Sequence, residues 1–286
     1  MNNTVIGGFE LSDNLYRKFV KLVYDAAGIS LGEAKRELVR SRLSKRLRTL
    51  GLASFEQYYQ FLSKNDPEGN ELVMMLDCIS TNKTDFFREG QHFIFLRETI
   101  LPTLMNKARH QGNKCIRIWS AGCSSGEEPY TLAMVLRDSL DPSVNWDCKI
   151  LATDISTKVL HFAYEGIYEE QKAQAIPPQF RSAYFTREKT AKGTVVYRVK
   201  PEIRQMVTFR RLNLMNATFP FSGTFHIIFC RNVMIYFDKQ TQEALVNRFY
   251  RYLSPGGYLF IGHSESLNSL KTPFQFVKPT IYLRNN

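Results

Sequence analysis

Glu127 and Glu128 close a turn of small residues, Ala121, Gly122, Cys123, Ser124, Ser125 and Gly126, and an apolar helical pattern begins at Tyr130. A glycine-bearing turn at a helix N-terminus lets a ligand reach the backbone, most often through a phosphate on the helix dipole. Two carboxylates at that place would repel a phosphate. They suit a cofactor with positive charge and hydroxyls, and S-adenosylmethionine, with its sulfonium, ammonium and ribose, fits. Asp154 follows Gly126 by 28 positions, close to where Rossmann-like sheets set a carboxylate on ribose hydroxyls. Ser156 is an equally good N-cap for the next helix, so capping alone does not account for Asp154. Asn213, Arg231 and Asn232 end two further strand-like runs, and ligands in open α/β sheets bind at such ends.

The elements that must position these residues are read from periodicity. Residues 115–119 and 149–154 are short apolar runs bounded like buried strands, and 130–136 is helical in spacing. The alternation stalls after Gly166 and resumes at 207–214, 225–232 and 258–261, with Ser254, Pro255, Gly256 and Gly257 read as a break before the last strand. Between lies a predicted β insertion, about 170–203, in which 183–186 pairs with 194–199 across the polar loop 188–193. Two readings fit it: an exposed edge to which a partner adds as a strand, or a decorative insertion with no partner.

Upstream, residues 12–27 read as an amphipathic helix stopped by Gly28, followed by helices over 35–48, around 55–62 and over 72–79. Residues 1–80 are therefore expected to form a small all-α domain, and 81–286 the α/β domain. In the second helix Val39, Leu43, Leu47 and Leu50 share a face. Lys35, Arg36, Arg40, Arg42, Lys45, Arg46 and Arg48 cover much of the rest, seven cations in 14 residues with only Glu37 to offset them. Like charges at that spacing are mildly destabilising, which points to an acidic partner. In the polar segment 81–89 a helix cap explains Thr84 or Asp85 and gives no reason for Arg88.

Composition bounds the function. The chain has 286 residues, 44% hydrophobic and 13% aromatic, enough for a real core. No run approaches the roughly 18 apolar residues of a membrane span, and Met1 to Thr4 begin no export signal. Five scattered cysteines without a CxxC and five histidines without ligand spacing lead us to expect a reduced, cytoplasmic protein with no metal. His263 is expected to be simply hydrogen-bonded rather than a general base. The net charge of +11 raises nucleic acid as a partner. Against it, the cations concentrate on one helix instead of interleaving with stacking aromatics.

Four segments in order, 81–89, 120–130, 229–237 and 262–265, resemble the chemotaxis receptor methyltransferases (CheR-type), and the resemblance runs from the basic helix to about Ile281. It implies an all-α domain followed by a Rossmann-like class I S-adenosylmethionine methyltransferase domain with a small antiparallel β insertion. It also implies methyl esterification of glutamates on the acidic cytoplasmic helices of membrane chemoreceptors. Position by position, the cofactor pocket falls on Asn82, Thr84, Arg88, Glu128, Asp154, Asn213, Leu214, Arg231 and Asn232, with Gly122 in the turn. Tyr236 matches the tyrosine that borders the reaction centre, the basic helix matches the receptor-docking surface, and the β insertion matches a subdomain that in some members grips a C-terminal tether peptide. For catalysis we expect Arg88 to pair with a carboxylate, the cofactor's or the substrate's, and Tyr236 to help position it. The expectation is a cytoplasmic monomer recruited to receptor arrays, without nucleic acid or membrane insertion. His226 departs from the pattern, since similar sequences more often carry Asp there. A nucleic-acid methyltransferase, a small-molecule methyltransferase and a cofactor-sensing adaptor are the competing readings.

Overall fold

The computed structural model describes residues 9–80, 82–112 and 114–285, for residues 109–111 the backbone alone. Thr81, the first residue of the polar segment, and the N-terminal residues 1–4 read for an export signal lie outside the described residues. The chain forms two compact units. One holds the described residues up to Ser80 together with Tyr236–Asp238, and the other holds Asn82–Ile235 and the chain from Lys239 onward.

The first unit is helical. Helix α1 (Asp13–Ala27) is capped by Ser12, whose hydroxyl accepts from the Leu15 amide, and ends at Gly28 in the left-handed region. After a 3-10 turn at Glu33–Lys35 come α2 (Arg36–Leu50), α3 (Phe55–Lys64) and α4 (Asn70–Ile79). Lys35 therefore precedes the basic helix instead of lying within it. Phe19, Leu43, Leu47, Phe55 and Tyr58 are fully buried and form the core, with Phe19 edge-on to Phe55 at 6.1 Å.

The second unit opens with α5 (Gln91–Phe95), a π-helical turn at Leu96–Ile100 and α6 (Leu101–Gln111). Then follow β1 (Cys115–Ala121), α7 (Glu127–Ser139), β2 (Asp147–Asp154) and α8 (Thr157–Glu165). The insertion contributes β3 (Ile167–Glu169), α9 (Glu170–Ala173), α10 (Pro178–Tyr184), β4 (Phe185–Lys189) and β5 (Val195–Val199). After α11 (Pro201–Arg204) come β6 (Val207–Arg211), β7 (Phe225–Cys230), a 3-10 turn at Met234–Tyr236, α12 (Lys239–Tyr252), β8 (Leu253–Ile261), β9 (Gln275–Lys278) and β10 (Ile281–Leu283).

The main sheet has the order β6-β2-β1-β7-β8-β10-β9. Its β6-β2-β1-β7-β8 part is parallel and its β8-β10-β9 end antiparallel. From β1 the chain continues outward to β2, while β7 lies on β1's other side. A crevice therefore opens outside the carboxyl ends of β1, β2 and β7. That is where the sequence set its candidate residues. Trp119, Ile118, Ile227 and Phe229 are buried on β1 and β7, as strands covered on both faces require.

Three expectations change. Ala183 and Tyr184 close α10 instead of opening a strand, because Pro178 starts a helical turn that sets Phe180 and Tyr184 four residues apart. The insertion begins earlier than residue 170, since β3 pairs with β5 and the small sheet runs β3-β5-β4. Ser254 to Gly257 bend β8 without ending it. Partner pairs jump from Phe225–Leu253 to Ile227–Tyr258, and the backbone of Arg284 bonds to Gly256 and Gly257.

Candidate active site

The glycine turn is held to the sheet by its own amides. Gly122 and Cys123 donate to the Thr153 carbonyl at 2.8 and 2.9 Å. Gly122 has φ 83°, Gly126 φ 94° and Ser124 φ 49°, so the glycines are required by backbone conformation. The space each leaves free is filled by protein: a Cβ at Gly122 would lie 2.4 Å from Val233, and one at Gly126 would lie 2.9 Å from both Ala163 and the Tyr168 hydroxyl. Their absent side chains make room for packing, not for an incoming ligand.

Asp154 ends β2 and is buried, with one carboxylate oxygen accepting the Ser124 amide (2.8 Å) and the other the Ser156 amide (3.0 Å). Ser156 itself caps α8, accepting from Val159 at 3.3 Å. Asp154 thus ties the glycine turn to the start of α8 through its carboxylate. Asp154→Asn places an amide NH2 against one of two backbone donors. The expected result is at least about 10-fold weaker S-adenosylhomocysteine binding in calorimetry, the cost of one charge-assisted hydrogen bond. Unchanged affinity would remove Asp154 from the cofactor site.

Glu127 and Glu128 do not present free negative charge. Glu128 accepts from Ser120 Oγ (2.7 Å) and from Arg231 Nε (2.8 Å), and Arg231 is 4% exposed. Glu127 accepts from Ser125 Oγ (2.7 Å) and from Lys172 Nζ (3.0 Å). Each acid is neutralised by a cation distant in sequence, which the turn alone could not reveal.

Around Arg231 lies a closed polar network. Its Nη1 donates to the Arg88 carbonyl (2.8 Å) and to His92 Nδ1 (3.1 Å). Burial, and then the charge of Arg231, push the His92 pKa down to about 3. The ring is therefore neutral, with Nδ1 accepting and Nε2 donating to Thr280 Oγ1 at 2.8 Å. Glu89 accepts from the His263 amide (3.2 Å) and Asn232 Nδ2 (3.4 Å) through one oxygen, and its other oxygen is buried without a hydrogen bond. Glu265 receives the amides of Asn232, Ile235 and Gly262 at 3.0, 3.2 and 2.6 Å, while burial raises its pKa.

Glu89, His92 and His263 bring one ligand atom each within 4.8 Å of the others, a grouping that the histidine spacing did not disclose. Arg231 Nη1 stands 3.7 Å from Glu89 and already bonds His92. A guanidinium therefore already faces two of the three groups. His263 is hydrogen-bonded through its backbone, and its half-exposed ring lies 3.8 Å from Glu89.

Segment 82–89 lies against this network. The Asn82 carbonyl accepts from Ser124 Oγ (2.9 Å), the Phe87 amide donates to Thr131 Oγ1 (3.3 Å), and Phe87 and Glu89 have φ 54° and 57°. Arg88 donates to the Lys83 carbonyl at 3.0 Å and forms no salt bridge among the described residues. Asn213 and Leu214 follow β6, where the Leu212 amide bonds the Asp154 carbonyl (3.0 Å). There Asn213 Oδ1 accepts the Met215 amide (2.9 Å), and the Leu214 carbonyl accepts from Arg248 (2.7 Å). His226, early in β7, accepts the Arg117 amide through Nδ1 (3.0 Å), a link between β7 and β1.

Tyr236 counts with the helical unit, where its carbonyl accepts the Ser30 amide (2.8 Å) and Lys35 lies 5.2 Å over its ring. In the same unit the basic helix is less uncompensated than its sequence suggests. Arg36 pairs with Asp13 at 2.5 Å, Arg40 with Glu37 at 2.7 Å, and Arg46 with the buried Glu71 at 2.5 Å. Arg42 donates to the carbonyls of Ile79 and Ser80 at the end of α4, and Arg48 covers the Phe9 ring. Lys45 is exposed and forms no ion pair among the described residues.

Residues 82–283 match the family model for the CheR methyltransferase SAM binding domain, and residues 14–80 that for the CheR methyltransferase all-alpha domain. This chain belongs to the CheR methyltransferase family. It is 45% identical to the chemotaxis protein methyltransferase of Borreliella burgdorferi, over 99% of this chain and 100% of that protein. It is 41% identical to the chemotaxis protein methyltransferase of Escherichia coli, over 95% and 91% of the two chains. The chain is an S-adenosylmethionine-dependent methyltransferase of chemotaxis, as the four motifs implied. The residues present fit the cofactor: Asp154 offers a carboxylate anchored on backbone amides, and Arg88 holds guanidinium donors in reserve. The sequence singled out Glu127 beside Glu128 but not its partner Lys172, and it did not single out Glu89, because both depend on contacts between segments far apart in the chain.

Proposed function

We propose that this enzyme esterifies glutamate side chains on the acidic cytoplasmic helices of membrane chemoreceptors, using S-adenosylmethionine held by Asn82, Thr84, Arg88, Gly122, Glu128, Asp154, Asn213, Leu214, Arg231 and Asn232. The observation that carries this reading is the charge state of the site: the buried Glu127 and Glu128 are matched by Lys172 and Arg231, whereas Arg88 has no carboxylate partner among the described residues. A carboxylate ligand therefore finds a guanidinium ready to receive it.

S-adenosylmethionine supplies an activated methyl group when bound. A glutamate side chain has a pKa of about 4.3, so the attacking oxygen is already ionised at neutral pH and needs no general base. His92 is held neutral by burial and by Arg231, consistent with a site that does not move that proton. What remains for the protein is to orient and partly desolvate the substrate carboxylate, the role we assign to Arg88 with Tyr236.

Docking is assigned to the basic helical unit, with Lys35, Arg40, Lys45 and Arg48 leading and Arg36, Arg42 and Arg46 contributing from their internal pairs. Association with an acidic helix should weaken with salt, the Debye length being about 8 Å at 0.15 M. Strand β4 forms one edge of the small sheet, with Thr186, Arg187 and Lys189 exposed, a suitable surface for a C-terminal tether peptide. No helix among the described residues is long and apolar enough to cross a membrane. We place the protein in the cytoplasm, as a monomer recruited to receptor arrays.

The test combines purified protein, methyl-labelled S-adenosylmethionine and chemoreceptor-containing membranes, scoring base-labile label released as methanol. Release that survives competition by polynucleotide at physiological salt supports carboxyl methylation of receptors. Binding of S-adenosylhomocysteine without transfer to any matched receptor would favour the adaptor reading.

A further inference from the structure

The β insertion is bound to the flank of the glycine turn through side chains. Tyr168 on β3 is buried, its hydroxyl donates to the Ser125 carbonyl at 2.7 Å, and the same oxygen fills the space beside Gly126. Phe86 sits edge-on to Tyr168 (4.8 Å) and Phe185 (5.7 Å), and Phe87 tilts against Phe180 (5.1 Å). Rings from β3, β4 and α10 thus hold the segment that bears Asn82, Thr84 and Arg88.

Between these rings and the turn lies one ammonium. Lys172 of α9 donates to the Thr84 carbonyl and to Glu127 Oε1 (3.0 Å), and lies 3.5 Å from Asp85. Glu127 is 1% exposed, and Lys172 is its one salt-bridge partner among the described residues. A buried carboxylate requires such a partner. A third bond, to a backbone carbonyl of another segment, is not needed for neutralisation. That bond fixes the Thr84 backbone against the first turn of α7, the turn that also carries Glu128.

We infer that Lys172 is a positioning residue for the S-adenosylmethionine site, and that through it the β insertion is part of the cofactor-binding machinery as well as a surface for partners. The inference rests on the assignment of Thr84 and Glu128 to the cofactor pocket. Loss of the ammonium loosens the 82–88 segment at its centre, while the aromatic contacts keep it attached to the fold.

The experiment titrates S-adenosylhomocysteine into full-length wild type, Lys172→Met, Lys172→Arg and the double variant Lys172→Met with Glu127→Gln, and measures KM and kcat on receptor-containing membranes. Lys172→Met is expected to weaken S-adenosylhomocysteine by about 10-fold and to raise KM for S-adenosylmethionine by a similar factor, one charged hydrogen bond's worth, with kcat within about twofold. Lys172→Arg should recover most of the affinity. The double variant removes the stranded charge, so it should regain thermal stability but not cofactor affinity. Wild-type affinity in Lys172→Met, or affinity restored in the double variant, would overturn the inference and leave Lys172 a neutraliser of Glu127. Wild-type binding without receptor methylation would sink the receptor reading alone. No binding by wild type would sink both.

Discussion

Arg88→Ala is expected to lower kcat/KM on receptor membranes by roughly 100-fold or more, the usual loss when one pre-aimed donor is removed from a reacting charge. The melting temperature should barely move, because Arg88 is partly exposed and bonds the Lys83 carbonyl. Wherever the carboxylate belongs, to the cofactor or to the substrate, the guanidinium is the group prepared for it. The two cases separate by kinetics: a rise in KM for S-adenosylmethionine with kcat kept marks the cofactor carboxylate, and an equal loss in kcat and kcat/KM marks the substrate. Wild-type turnover would remove Arg88 from the mechanism.

Arg231→Met has the largest expected effect on stability. The side chain is 4% exposed and serves Glu128, the Arg88 carbonyl, His92 and, at longer range, Glu89. Removing one partner of a buried pair strands the other charge and costs about 3–5 kcal/mol. For a unit of this size that lowers the melting temperature by roughly 10 °C. Adding Glu128→Gln to the same chain should return part of the loss, since the stranded charge is then gone. A melting temperature within about 2 °C of wild type for Arg231→Met would show that the network relaxes or hydrates.

Legibility followed distance along the chain. The strand–turn–helix around Gly122 and the carboxylate of Asp154 were readable because apolar runs and a short spacing carry them. So were the first two helices of the N-terminal unit, whose ends Gly28 and Gly51 mark. What could not be read were pairings set by the fold. Glu127 finds Lys172, Arg46 finds Glu71, and Glu89 meets His263 only after most of the chain has been laid down. The basic helix looked uncompensated because its counter-charges sit on other elements. Tyr184 was misplaced for a local reason: its aromatic run suits a strand, but Pro178 had already started a helix.

The membership of Tyr236–Asp238 in the helical unit has a consequence for biosynthesis. The Tyr236 carbonyl receives the Ser30 amide at 2.8 Å, and Asp238 receives the Tyr24 hydroxyl at 2.6 Å. A ribosome adds about 5–20 residues per second, so α1 emerges roughly ten seconds or more before the residues that complete its surroundings. During that interval the nascent helices lack their final hydrogen bonds. A gene fragment cut at residue 80 makes the condition permanent, and so encodes a domain less stable than the same residues within the finished polypeptide.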